Sequence, residues 1–131
     1  MKIDYQINHM QQLVLARARN VLTEDDIFDY QREVWSRNDV TGFNELLDLS
    51  AVEQIDLTST DSIEEFARLA VSMDIPATAT RFAIVAPTDL MFGLGRMYEA
   101  YRNRNEQSTK QARVFRSRSE ALAWLAVSSS R

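Results

Sequence analysis

The sequence predicts a single α/β domain: a mixed sheet of about five strands with about four helices, in the order β-β-α-β-α-β-α-β-α. Three observations predict it. Apolar residues alternate with period two in short stretches and recur at helical spacing in the stretches between them. The first two strand-like stretches are joined by a few polar residues, as in a hairpin. Each later pair is separated by a helix-length segment, which forces crossovers and parallel pairing. Finally, 131 residues with 45% hydrophobic and 26% charged side chains have ordinary globular composition, enough for one core. No repeat, linker or low-complexity tract divides the chain, so residues 1–131 are expected to be one domain.

The elements follow in order. Ile3, Tyr5 and Ile7 alternate with polar residues, and Asn8-His9-Met10-Gln11 makes a turn. In the second strand, LVLARAR, Val14, Ala16 and Ala18 face one way while Arg17 and Arg19 face the other. Thr23 can cap a first helix with Asp26 three residues on, and Glu24 and Asp25 suit the positive helix end. Ile27, Tyr30, Gln31, Val34 and Trp35 form its apolar stripe, which ends near Asn38. After Gly42, FNELLDLS reads as a strand with Leu47 and Leu49 opposed to Glu45 and Asp48. Ala51–Thr60 is polar and turn-prone.

Asp61 with Glu64 is a capping pair for a second helix, striped by Ile63, Phe66, Ala67, Ala70 and Met73 and ended by Pro76. Phe82–Ala86 is a continuous apolar run, a strand buried on both faces. Pro87-Thr88 opens a third helix over 88–102, and Arg102–Lys110 reads as a polar, charged loop. ARVFR is the last strand. Ser117 with Glu120 caps a closing helix that carries Leu122 and Leu125.

Composition excludes whole function classes. With no cysteine there are no disulfides, thiolate nucleophiles or Cys-based metal sites. A single histidine, His9, gives no metal cluster and no supported Ser-His pair; it reads as a surface turn residue. No cofactor and no metal are expected. The acids Asp48, Glu53, Asp56, Asp61, Glu64 and Glu65 form no singled-out acid/base pair, and no catalytic residue is assigned. No stretch approaches the ~20 apolar residues of a membrane span. The N-terminus, MKIDYQINHMQQ, is polar and unlike a secretory signal, so a cytoplasmic location is expected.

The net charge of −4 is unevenly spread: residues 1–95 hold 7 Lys/Arg against 16 Asp/Glu, and residues 96–131 hold 8 against 3. Either acids at helix starts and arginines in later helices account for this, or the asymmetry steers a charged partner or orients the domain on an anionic surface. Arg102, Arg104 and Lys110 lack interleaved aromatic platforms, and the chain as a whole is acidic. Nucleic acid is therefore not expected as a partner.

Two stretches invite a binding role. The third helix contains Gly93 and Gly95, but its G-x-G lies inside a helix and lacks the third glycine, so the glycines read as packing devices. Its apolar residues, among them Met91, Phe92, Leu94, Tyr98 and Tyr101, cover more than one stripe. Either the helix is deeply buried, or its second face meets a partner, an apolar small molecule, a lipid surface or a second copy of the chain. The other stretch is Leu57-Thr58-Ser59-Thr60-Asp61-Ser62. Its hydroxyls beside a helix start are caps and turn formers, in a place where a phosphate would be locally welcome.

This second stretch carries a resemblance. DLSAVEQIDLTSTDS is similar to the STAS-domain signature of anti-sigma-factor antagonists, a strand ending Asp-Leu-Ser that leads through a hydrophobic residue to Ile-Asp-Ser-Ser-Gly and a helix. Asp48, Leu49, Ser50, Val52, Ile55 and Asp56 match; Leu57 replaces the first serine, Thr58 falls on the second, and Ser59 replaces the glycine. The element order and the closing VFRSRSEALAWL resemble the SpoIIAA-like branch. The resemblance implies a SpoIIAA-like fold and a non-enzymatic, regulatory protein-interaction module. It further implies a kinase-type anti-sigma factor as partner and phosphorylation at Thr58, with Ser59 and Thr60 as neighbouring candidates. That branch also resembles lipid-binding CRAL-TRIO folds, which returns attention to helix 88–102.

Overall fold

The computed structural model describes residues 3–74, 79–105 and 107–126. Its elements are β1 (Ile3–Asn8), β2 (Leu13–Thr23), α1 (Glu24–Trp35), a 3₁₀ turn at Asn38–Val40, β3 (Asn44–Asp56), α2 (Asp61–Met73), β4 (Thr80–Val85), α3 (Asp89–Arg104), β5 (Lys110–Phe115) and α4 (Arg118–Ala126). The five strands lie side by side in chain order. β1 runs antiparallel to β2, and the remaining pairs are parallel. The expected α/β order is the observed one.

That strand order decides the layers. Parallel crossovers are right-handed almost without exception, so successive steps in one direction across a sheet put their helices on the same face. α1, α2 and α3 therefore share one face. They pack on alternate sheet residues including Ile3, Val14, Ala16, Leu49, Phe82, Ile84 and Val114. The other face is left to α4, whose Ala121 and Leu125 cover Leu46, Ala83, Val85 and Phe115.

Local signals account for most boundaries. Thr23 Oγ1 accepts from the Asp26 N–H at 3.2 Å while Asp26 accepts from the Thr23 N–H at 3.0 Å, the expected capping box. Thr88 caps α3 by accepting from the Met91 N–H, and Ser117 accepts from the Glu120 N–H. Gly42 takes a φ of 83°, a left-handed value open to glycine, on the way into β3.

The expectations around β3 and α2 need correction. β3 continues to Asp56 through the polar stretch read as a turn, because pairing with the long β2 satisfies its backbone. Two register shifts, each with an extra residue in β3, interrupt that pairing. Glu45 is not on a solvent face opposed to Leu47 and Leu49. It lies beneath α1, accepting from Tyr30 Oη and Trp35 Nε1, and Asp48 is also buried, on the α4 side. Asp61 does not cap α2: the preceding Thr60 is the cap residue, without a side-chain cap bond, and the Ser59 hydroxyl accepts from the Asp61 N–H at 3.2 Å. α1 stops at Trp35, short of Asn38, and α3 extends two residues beyond 102. Pro76 lies outside the described residues.

Gly95 is the packing glycine of α3. A Cβ there would stand 2.7 Å from Val114 Cγ2, whereas one at Gly93 would meet nothing within 4 Å. Gly95→Ala is therefore expected to destabilise the fold by about 1–3 kcal/mol of overpacking, less its helix-propensity gain. Gly93→Ala should stabilise it by roughly 0.5–1 kcal/mol. Urea unfolding of the two variants checks both signs.

Candidate functional site

The hydroxyl-rich loop sits where β3 hands over to α2, at the C-terminal edge of the parallel strands. β2 and β3 end level, with Thr23 paired to Asp56. The first residue of α1, Glu24, consequently stands beside the residues that follow Asp56. Glu24 Oε1 accepts from the Thr58 N–H and from Thr58 Oγ1, both at 2.6 Å, and also from Ser62 Oγ. Thr58 Oγ1 lies 3.4 Å from Ser62 Oγ. One carboxylate oxygen thus ties together the starts of two helices and the loop between strand and helix.

The three modification candidates differ in their surroundings, although Thr58, Ser59 and Thr60 are all exposed. Thr58 is clasped by Glu24, while Ser59 caps Asp61. Thr60 is the α2 cap residue and makes no side-chain cap bond. Sequence reasoning missed Glu24 as a site residue: it was legible only as a helix-start acid, 34 positions away from Thr58. The signal that could have found it is the parallel pairing of two strands that end together.

Hydrogen bonds from Ser62, then from the Thr58 hydroxyl and its N–H, hold the Glu24 carboxyl below its ordinary range. Asp48 belongs to the Asp-Leu-Ser stretch and has a different task. It accepts from the Ser50 N–H at 2.9 Å and from Arg118 at 3.0 Å, joining the bulged strand to α4. Burial raises its pKa, but the bonds from Ser50 and Arg118 outweigh burial and leave it lowered.

The five α3 residues separate into groups. Met91 and Tyr98 are buried in the core, and Leu94 is half-buried over an apolar cavity between the sheet and α1–α3 that Met91 and Tyr98 also line. Phe92 and Tyr101 are half-buried beneath arginines, with Arg116 4.2 Å from the Phe92 ring centre and Arg104 5.3 Å from that of Tyr101. α3 does not present these five residues as one exposed patch.

Two cations of the expected 102–110 loop are structural. Arg102 lies within α3, is 0% exposed, and pairs with Asp74 while donating to Tyr98 Oη at 2.8 Å. Lys110 begins β5 and donates to the buried Glu45 at 3.1 Å. Burial pushes the Tyr98 phenol up to about 12 against the opposing pull of Arg102. Among the described residues no group of three His, Cys, Asp or Glu could hold a metal ion, and no helix is long and apolar enough to cross a membrane.

The layout of strands and helices can be compared directly. An uncharacterised protein of the DUF3478 family with a SpoIIAA-like fold, from Shewanella loihica, superposes with a TM-score of 0.59 over 95% of this chain and 93% of its own, at 17% identity. This chain has a SpoIIAA-like fold. The anti-sigma factor antagonist SpoIIAA in its unphosphorylated form superposes with a TM-score of 0.49 and 11% identity over 93% of this chain and 96% of that one, too distant to carry residue correspondences. No protein-family model matches the sequence, and no curated protein matches it. The hydroxyl loop and the Glu24 clasp are therefore features of this SpoIIAA-like domain read from its own residues.

Two predictions follow from this geometry. The folded pKa of Glu24 lies below its unfolded value of about 4.3, so the clasp contributes its full stability above that pH and loses it as pH falls through the folded pKa. Glu24→Gln should be less stable than wild type at pH 7, with the difference shrinking on acidification; urea unfolding from pH 7 to 3 measures this. Separately, Asp74→Asn leaves Arg102 buried without its counter-charge and should cost about 3–5 kcal/mol in the same assay.

Proposed function

We propose that the domain is a non-enzymatic regulatory module that works by binding another protein and is switched by phosphorylation at Thr58. The observation that carries this reading is the exposed Thr58 at the end of β3, with its hydroxyl and N–H both on Glu24. Resemblance to the STAS signature supports Thr58 as the modifiable residue. In the reaction, the γ-phosphoryl group of ATP passes to Thr58 Oγ1, the hydroxyl proton is released and ADP leaves. By resemblance, the partner that supplies ATP and kinase activity is a kinase-type anti-sigma factor. The reading carries with it a cytoplasmic location.

A phosphate adds roughly −1.5 to −2 charges at neutral pH. The Thr58 oxygen that donates to Glu24 at 2.6 Å would lose its proton and become an ester oxygen, and the dianionic phosphoryl group it carries would stand beside the carboxylate. The clasp must then open. Asp56 and Asp61, both exposed close by in sequence, add to the repulsion. Phosphorylation thus frees the loop from α1 and changes the charge of this end of the sheet, two changes that a docked partner would register.

The test is mass spectrometry of the chain purified from its own host, with fragment localisation. A fraction one phosphate heavier is expected, with the group on Thr58 and absent from Thr58→Ala. Glu24→Gln should be modified faster, since its hydroxyl is held less tightly. A chain that stays unmodified in every growth phase, with Thr58→Ala and Thr58→Glu binding isolated partners as wild type does, would overturn the switch.

A further inference from the structure

The face covered by α1, α2 and α3 is incompletely filled. A cavity of about 90 Å³ lies between these helices and the sheet, and its wall is almost wholly apolar. Tyr30, Trp35 and Tyr98 also line it, but their polar atoms bond to Glu45 and Arg102. A buried water needs two to four polar partners and finds no such set there, whereas dry apolar cavities take up benzene or xenon. Native cores leave few spaces of this kind, because atoms along a void lose their contacts on one side.

What holds this space open lies just outside it. Leu57 lines the cavity, and the next residue, Thr58, is held by Glu24 through both its hydroxyl and its N–H at 2.6 Å. Ile63 lines it too, and the preceding Ser62 donates to the same carboxylate oxygen. Ile27 lines it from α1, within one turn of Glu24. Wall residues from three segments are thus tied from behind at one point. Without that tie, the half-buried Leu57 and Ile27 would turn inward and recover the missing contacts.

We propose that this cavity is a binding site for a small, wholly apolar molecule, and that the Glu24 clasp on Thr58 and Ser62 keeps it in its binding-competent form. The cavity is smaller than the roughly 150 Å³ engineered cavity that takes benzene. The ligand is therefore one small ring or a short hydrocarbon chain. It carries no polar group, since the wall would leave one without a partner.

The coupling is reciprocal: a ligand that favours the clasped arrangement tightens the clasp in turn. Site and coupling stand on the unmodified Glu24, Thr58 and Ser62. Their consequence for regulation rests on the reading of Thr58 as a phosphorylated residue. A filled cavity then slows the modification, and a modified, unclasped chain releases the ligand.

Benzene, with xenon as a smaller probe of the same chemistry, tests the site in the unmodified full chain. Titration should move the Leu57, Ile63 and Leu94 methyl resonances saturably. Two backbone N–H groups report the coupling: that of Thr58 on Glu24, and that of Ser50 on Asp48, whose side chain lies on the α4 side of the sheet. Saturation with the probe that binds should slow hydrogen exchange at Thr58 at least threefold relative to Ser50. Glu24→Ala, with folding checked by thermal unfolding, should bind the probe at least threefold more weakly, while Asp48→Asn should bind it as wild type does. No saturable shift with either probe overturns the site. Exchange at Thr58 that does not slow relative to Ser50 overturns the coupling. So does an affinity of folded Glu24→Ala no weaker than that of Asp48→Asn. None of these measurements involves phosphate, so they succeed or fail whether or not Thr58 is ever modified.

Discussion

Strands laid side by side in chain order, joined by right-handed crossovers, leave no choice about where the helices go. α1, α2 and α3 must stack on one face of the sheet, and the other face waits for whatever follows β5. Everything else about the molecule depends on this asymmetry. Three neighbouring helices over one face meet one another as well as the sheet, as α3 does through Gly95 against Val114 of β5. Three helices and a twisted sheet do not tile perfectly, and the residual space is the cavity beside Gln31. On the opposite face the nine-residue α4 covers the later strands. There β1 and β2 show polar side chains, with Asp4 and Arg19 paired at 2.8 Å.

The same arrangement gives the sheet two different ends. At the N-terminal edge of the parallel strands, Glu45 gathers Tyr30, Trp35 and Lys110, and Arg102 is enclosed with Asp74 and Tyr98. Buried charges of this kind are tolerable when each has hydrogen-bonding partners, and removing one partner is costly. That end is locked. At the C-terminal edge, Glu24 holds the exposed Thr58 and the buried Ser62 through their hydroxyls. A few hydrogen bonds at the surface can be exchanged for water or broken by a charge at small cost. The end that can change state is thus the end where consecutive strands deliver their loops.

The elements were legible because their signals are local. Thr23 with Asp26, Thr88 before α3, and Ser117 with Glu120 each announce a helix within four residues. The run around Ile84 announces a strand buried on both sides, whatever its neighbours are. The far half of β3 is not legible because Ala51–Asp56 is polar, and its strand conformation is imposed by eleven-residue β2 beside it. Propensity says little about a stretch whose backbone bonds are supplied by a partner. Arg102 and Lys110 looked like loop cations for a related reason: a charge is read as solvent-exposed until its counter-charge is found. Asp74 and Glu45 stand 28 and 65 positions away.

What the sequence determined by itself was the class, the order of elements and the position of the hydroxyl loop, since periodicity and capping act over a few residues. It also determined that the chemistry of thiols and of histidine clusters is absent, which composition alone decides. Only the tertiary structure decided that Thr58 is held by Glu24, that the apolar residues of α3 are divided between core and rim, and that Gln31 is buried with one acceptor unpartnered. Each of these depends on the spacing between segments brought together by strand register and helix packing, and no local pattern in one segment encodes where the other will stand.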